Sequence, residues 1–350
     1  MTYQDAGVDI AGKDAAMGGF LRWLGQTHSF PGVTGRPVLQ NGFYAAVHDL
    51  NNGTGVAIST DSVGTKVLVA EAAGRYDAIG IDCVAINAND VLCVGARPIA
   101  LVDYLAVQSL DPQMLEEVGK GLYEGAQQAG IAIAGGELAQ VPELLNVRVD
   151  VAGTCIGIVS LDRLIDGRYI RDGDVVVGFA SSGLHSNGFT LARKVLLGPD
   201  AYQVDSYVPQ LGCALAEELL KPTAIYVQPV LQVLSQVTGL AHISGGGLLN
   251  LLRLRTDCGF ELDSLPDPPA IFDLIATRGA VTSDELYRVF NMGVGFCVVA
   301  RPEAEGAVLS AAQRNGIQAW PIGRARSGLR GRVALPQQGL VGEGSAFRSA

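Results

Sequence analysis

Residues 78–94, Ala-Ile-Gly-Ile-Asp-Cys-Val-Ala-Ile-Asn-Ala-Asn-Asp-Val-Leu-Cys-Val, constrain this chain more than any other stretch. They read as a helix that is apolar on nearly every side. Such a helix has no face for water and must be wrapped by the rest of the fold. Among its polar residues, Asp82, Asn89 and Asp90 stand out. At about 100° per residue, Asn89 lies almost over Asp82 and Asp90 falls on an adjacent face. A carboxylate on an apolar helix is costly unless paired or metal-bound. No basic residue shares the helix, which favours Mg²⁺ coordination, with plain surface placement as the alternative.

The rest of the chain fits an α/β protein in two units. It has 350 residues, 48% of them hydrophobic, which suits two cores. Its 45 glycines are nearly twice the usual ~7% and point to many tight turns and close backbone approaches. Expected strands lie at 56–60, 99–107, 131–134, 149–159, 175–179 and 293–300. Expected helices lie at 67–73, 112–129, 189–197, 223–234 and after Gly247. The turn-rich stretch 162–174 is the natural boundary. The expected organisation is an N-terminal arm (1–52), a first domain (53–162), a second domain (173–337) and a flexible tail (338–350).

A net charge of −10 without a Lys/Arg block argues against a nucleic-acid partner. The six cysteines form no C-x-x-C pair, which argues against zinc or a disulfide framework. No apolar run approaches the ~20 residues of a membrane span, and no signal-like segment opens the chain. A cytoplasmic protein is expected.

Five segments can carry chemistry. Asp61-Ser62-Val63-Gly64-Thr65-Lys66 follows a strand and precedes a helix, so it can hold Mg²⁺ and a phosphate or simply cap the helix. It lacks P-loop spacing. The helix with Asp82, Asn89 and Asp90 is the second. Gly135-Gly136-Glu137 presents a carboxylate at a strand end or makes a plain turn, and Asp103 can join it. Ser181 to Gly188, with His185, Ser186 and Asn187, offers donors to an anion or forms a capped loop. In His242-Ile243-Ser244-Gly245-Gly246-Gly247, three glycines suggest close approach to a phosphate. His242 itself is either catalytic or structural.

Taken in order, these segments resemble the phosphoribosylformylglycinamidine cyclo-ligase (AIR synthetase) family. The resemblance is carried by Tyr3-Gln4-Asp5-Ala6-Gly7-Val8-Asp9-Ile10, Thr60 to Lys66, Gly80 to Asp90, Gly135-Gly136-Glu137, Asp150 to Gly153, Gly183 to Gly188, His242 to Gly247 and Phe290 to Gly295. Against the family's usual pattern, Ser62 replaces a Gly, Gln140 a Glu and Asn41-Gly42-Phe43-Tyr44 a Gly-Gly-Phe-Gly segment. Ser244 replaces a Thr and keeps the hydroxyl.

The resemblance implies a two-domain α/β (α+β) fold, with a C-terminal mixed sheet flanked by helices. It implies a homodimer whose N-terminal halves pair into a β-barrel-like core. It implies ATP-dependent, Mg²⁺-assisted closure of formylglycinamidine ribonucleotide to aminoimidazole ribonucleotide in purine biosynthesis. Asp61, Asp82, Asp90 and Glu137 would hold Mg²⁺, and with Thr65, Lys66 and Asn89 the nucleotide. Lys66, His185 and His242 are the implied catalytic groups. Ser186, Asn187, Ser244, Gly245, Gly246 and Gly247 would contact the substrate or its phosphate. A small-molecule kinase of the same superfamily and a non-catalytic paralogue are the alternatives.

Overall fold

The computed structural model describes residues 1–350 except 9, 31, 33, 40, 41, 199 and 200, and omits the side chains of 10, 11 and 13–15. Asp9 of the opening motif and Asn41 therefore lie outside the described residues.

In chain order the first half comprises α1 (Ile10–Gln26), β1 (Arg36–Pro37), β2 (Ala46–Asp49), β3 (Thr54–Ser62), α2 (Val67–Ala73), α3 (Asp77–Leu92), β4 (Arg97–Val107), α4 (Pro112–Ala129), β5 (Ala132–Gln140) and β6 (Val149–Ser160). The second half comprises β7 (Val175–Ala180), α5 (Phe189–Leu196), β8 (Tyr207–Val208), β9 (Cys213–Ala214), α6 (Leu215–Leu219), α7 (Val227–Leu231), β10 (Val237–His242), β11 (Gly259–Glu261), α8 (Ala270–Gly279), α9 (Ser283–Val289), β12 (Val294–Ala300), α10 (Glu305–Arg314), β13 (Ala319–Arg326), β14 (Arg332–Leu335), β15 (Leu340–Glu343) and β16 (Ala346–Ser349).

The first half builds a six-stranded sheet in the order β1-β2-β3-β6-β4-β5. Only β4 and β5 run parallel, joined through α4. Asp111 caps α4 by accepting from the Gln113 and Met114 backbone N–H groups, with Pro112 in the first turn and Gly130 closing the end at φ +71°. Among the described residues the sheet of one chain stays open, and no barrel closes.

Helix α3 is wrapped as its composition demands. Every residue from Ala78 to Leu92 except Asp90 is buried. The sheet covers one side and α4 another. Close approach to α4 depends on glycine: a Cβ on Gly80 would lie 2.3 Å from the Val118 carbonyl, and one on Gly121 would lie 1.9 Å from that of Asp77.

The second half builds an eight-stranded mixed sheet in the order β10-β12-β7-β13-β11-β14-β15-β16. Strands β7 and β12 are almost wholly buried, which explains their unbroken apolar runs. Several expectations are corrected here. Residues 340–349 form a paired hairpin rather than a flexible tail, held because Phe347 is buried against Tyr287. The helix expected at 223–234 shrinks to α7, because backbone groups at Thr223, Ala224 and Tyr226 bond to α3 and His185 instead. The segment after Gly246 is a 3-10 helix, Gly247–Arg253. Asp61 and Ser62 complete β3, and Gly135-Gly136-Glu137 lies inside β5.

The two halves are latched through a buried ion pair. Lys66 Nζ lies 2.7 Å from Asp82 Oδ2, and both side chains are 0% exposed. Lys66 also donates to the carbonyls of His185 (3.2 Å) and Lys221 (2.7 Å). Asp82 Oδ1 accepts from the Thr223 N–H (2.7 Å) and hydroxyl (2.6 Å). Asn89, one helical repeat on, donates to the Ala224 carbonyl and accepts from the Tyr226 N–H. Burial pulls the Lys66 pKa down, and Asp82 opposes that pull. His185 is held at φ +61°. Its Nε2 accepts from the Ser182 and Ala224 N–H groups, at 3.2 and 3.5 Å.

Two outcomes follow. Lys66→Met leaves a buried carboxylate unpaired and should cost roughly 3–5 kcal/mol in denaturant unfolding. Adding Asp82→Asn, which keeps an acceptor for Thr223, should recover most of that loss. Burial holds His185 well below the ordinary value of 6.5, with His242 and Lys66 adding to the shift. Below 6.5 the unfolded chain binds the proton that the folded chain refuses, so this contribution is complete above 6.5 and falls as pH drops. The decline in Tm between pH 7 and 5 should be shallower in His185→Gln than in wild type.

Candidate active site

A cleft of about 250 Å³ lies between the halves. One wall is the end of β3 and the turn after it, with Asp61, Gly64 and Thr65. The other wall carries Ser186, Asn187, His242 and Ser244. Thr65 Oγ1 meets Thr190 Oγ1 at 3.1 Å across the join, and Ser186 Oγ meets Thr223 Oγ1 at 2.9 Å. The cleft-lining residues thus sit directly on the latch.

The strongest chemical feature is a dyad. His242, at the end of β10, places Nδ1 2.8 Å from Asp90 Oδ1. The imidazole is 1% exposed, Asp90 is 16% exposed, and His242 Nε2 has no hydrogen-bond partner among the described residues. A carboxylate on Nδ1 favours the Nδ1–H tautomer and leaves Nε2 with a lone pair. The His242 ring stacks on Phe296 at 6.3 Å between centroids, and its carbonyl accepts from Asn250 Nδ2 at 3.0 Å. The dyad could not be read from spacing, because its members are 152 positions apart.

The other expected residues divide clearly. Lys66 and Asp82 are enclosed in the latch and do not line the cleft, nor does Asn89. His185 is buried against Tyr226, with ring centroids 6.2 Å apart, whereas Ser186 and Asn187 open into the cleft. Ser244 lines the cleft, and Gly245 and Gly246 line a second cavity beside it. Gly247 serves packing: at φ +57°, its Cβ would lie 2.0 Å from the Tyr287 carbonyl.

The carboxylates do not form one cluster. Among the described residues, no group of three or more His, Cys, Asp or Glu side chains could hold a metal ion. Asp61 and Asp103 both pair with Gly153, and Asp103 also pairs with Gly136. They therefore share one row and one sheet face, separated by a residue without a side chain. Glu137 sits opposite Tyr104 in the next row, on the other face. Burial raises the Asp103 carboxyl, a penalty a cation would offset. Asn87 was missed in the sequence. It is fully buried beneath this row, and its Nδ2 donates to the Asp61 carbonyl at 3.3 Å. Its position seven residues before Val94 gave no hint of that role.

Residues 42–159 match the AIR synthase related protein N-terminal domain, and residues 171–335 match the C-terminal domain. A phosphoribosylformylglycinamidine cyclo-ligase from Methanothermobacter thermautotrophicus is 45% identical over 326 residues, covering 92% of this chain and 94% of that one. The same-named protein from Thermococcus kodakarensis is 51% identical over 312 residues, covering 88% and 91%. The fold also matches a thiamine-monophosphate kinase from Stenotrophomonas maltophilia at TM-score 0.60 and 21% identity, covering 90% and 94%. It matches T. maritima PurL complexed with FGAR at TM-score 0.57 and 21% identity, covering 86% of this chain and 47% of that one. Both family domains in sequence, and two named relatives aligned nearly end to end, place this chain in the AIR synthase related family, together with the phosphoribosylformylglycinamidine cyclo-ligases.

Proposed function

We propose that the chain closes the imidazole ring of aminoimidazole ribonucleotide from formylglycinamidine ribonucleotide, using ATP. The observation that carries this reading is the Asp90–His242 dyad, whose His242 lines a cleft with Asp61, Gly64 and Thr65 on its far wall. The names of the relatives support it. Neither the kinase nor the non-catalytic alternative draws support from them.

An amide oxygen is a poor leaving group. Phosphoryl transfer from ATP converts it to an iminophosphate, and a nitrogen of the same molecule then attacks the carbon and expels phosphate. Both reacting groups belong to one molecule, so positioning supplies much of the rate. In this chain His242 Nε2 would take the proton from the attacking nitrogen, and Asp90 would stabilise the imidazolium. Ser186, Asn187 and Ser244 would orient the substrate from the same wall. Lys66, Asp82, Asn89 and His185 act as positioning residues, through the latch, rather than as ligands of nucleotide or metal.

Mg²⁺ commonly takes one or two carboxylates and fills its remaining positions with phosphate oxygens and water. Asp61 and Asp103 share one row and one face of the first sheet, and together they match that donor set, whereas Asp82 is enclosed in the latch and Asp90 orients His242. The ion would neutralise charge on the transferring phosphate.

We also infer a homodimer through the outer face of the first sheet. Ile58, Val102, Tyr104 and Ile158 are 39–43% exposed there, an apolar face that pairing of two sheets would cover. A cytoplasmic location agrees with six free cysteines.

Three measurements test these points. Wild-type protein with formylglycinamidine ribonucleotide and MgATP should form aminoimidazole ribonucleotide and ADP; bound ATP without ring closure would refute the reading. His242→Asn and Asp90→Asn should each lower kcat by about 10²–10⁴-fold, and Asp61→Asn should abolish Mg²⁺-dependent turnover at unchanged Tm. Sedimentation should give a dimer that Tyr104→Lys with Ile158→Lys converts to monomer; a monomeric wild type would sink the dimer.

A further inference from the structure

The opening motif is folded into a turn. Thr2 and Asp5 close a capping box on it: the Thr2 N–H donates to Asp5 Oδ2 at 2.8 Å, and the Asp5 N–H donates to Thr2 Oγ1 at 3.1 Å. The Ala6 and Val8 N–H groups bond back to the Thr2 and Tyr3 carbonyls, each at 3.1 Å. Gly7 reverses the chain at φ +96°.

Contacts far along the chain pin this turn to the second half. The Tyr3 N–H donates to Glu285 Oε1 at 2.6 Å. Glu285 is buried, and Arg288 neutralises it, with Nε to Oε2 at 2.8 Å and Nη2 to Oε1 at 2.7 Å. Lys194 Nζ donates to the Asp5 carbonyl at 3.3 Å, and Ala6 is buried. Both long-range bonds run to the backbone of the turn, so neither depends on the Tyr3 side chain.

That side chain stands where two spaces meet. Tyr3 lines the cleft with Asp61, Asn187 and His242, and it also lines the neighbouring cavity of about 680 Å³. It is half-buried, and its hydroxyl has no hydrogen-bond partner among the described residues. Burial raises the phenol above its ordinary value of 10.0, with Arg288 opposing, so the ring is neutral at neutral pH. A neutral aromatic ring, fixed through its own backbone, acts there by filling space.

Filled space at that place has a chemical consequence. The iminophosphate can lose its phosphate in two ways. Attack by the internal nitrogen at carbon breaks the C–O bond, closes the ring and sheds a proton from that nitrogen. Attack by water at phosphorus breaks the P–O bond instead. The bonding pair returns to the amide oxygen, a proton from water passes to the imino nitrogen, and the substrate is regenerated. The second route consumes ATP without product, and excluding water suppresses it.

We propose that Tyr3 closes the cleft against water, so that the phosphorylated intermediate partitions to ring closure instead of hydrolysis. The role rests on the cyclo-ligase reading.

The test follows ADP and ring-closed product together, using the full chain with MgATP and formylglycinamidine ribonucleotide. Wild type should release the two in equal amounts. Tyr3→Ala and Tyr3→Ser should raise the ratio of ADP to product by about threefold or more at unchanged Tm, and Tyr3→Phe, which keeps the ring, should match wild type. Heavy-oxygen water gives a readout that a merely structural role would not move. Ring closure leaves the substrate's amide oxygen in the phosphate, whereas hydrolysis at phosphorus inserts a solvent oxygen. Phosphate from Tyr3→Ala should therefore carry the label, and its release should require the ribonucleotide. An unchanged ratio in both folded truncations, equal uncoupling in Tyr3→Phe, or labelled phosphate released without ribonucleotide would each overturn the proposal. Coupled turnover in wild type and Tyr3→Ala alike sinks this role alone, whereas a wild type that forms no ring sinks the cyclo-ligase reading and this role with it.

Discussion

An ammonium and a carboxylate enclosed without water must satisfy each other, and in this protein they do so at the join between two sheets. Lys66 comes from the turn after β3 and Asp82 from α3, and the remaining donors and acceptors come from the second half at His185, Lys221 and Thr223. Separating the halves would expose or orphan every one of these groups. The cost of a buried unpaired charge makes their relative position close to all-or-none. Both cleft walls are attached to this latch, so the distance across the cleft is set by it.

The latch also explains how a chain with few charges builds a polar site. Helix α3 is buried along most of its length, and three of its polar residues reach groups of the second half. Asp82 and Asn89 bind backbone and side-chain groups of the second half, and Asp90 orients His242. Each has a partner supplied from more than 130 positions away. One helix therefore holds the halves together and presents the orienting carboxylate of the dyad. The glycines that let α4 approach α3 are part of the same arrangement, since a shifted α3 would move all three contacts.

The glycines of the second half divide in function. Gly247 is required by φ and by the Tyr287 carbonyl, whereas Gly245 is required by neither. The three-glycine run looked like one phosphate loop in the sequence. In three dimensions its members face the cavity, Asn250 and the packed backbone in turn. Ser244 lines the cleft, and Gly245 lines the neighbouring cavity.

The sequence by itself determined the α/β class, the buried character of α3, the span of α4, and the motif order that places the chain in its family. These features rest on local periodicity, turn chemistry and short motifs, all written in neighbouring residues. It also marked Asp61, Ser186, Asn187, His242 and Ser244, which do line the cleft. Only the tertiary structure decided the partners of Asp82 and Asp90. On the helix alone both lacked a cation, and a metal was the economical answer. The cation and the imidazole arrive from Lys66 and His242, on other elements, and a pairing across such separations leaves no periodic trace. The same reason hid Asn87 beneath Asp61: its role is created by packing between segments that the chain does not bring together until it has folded.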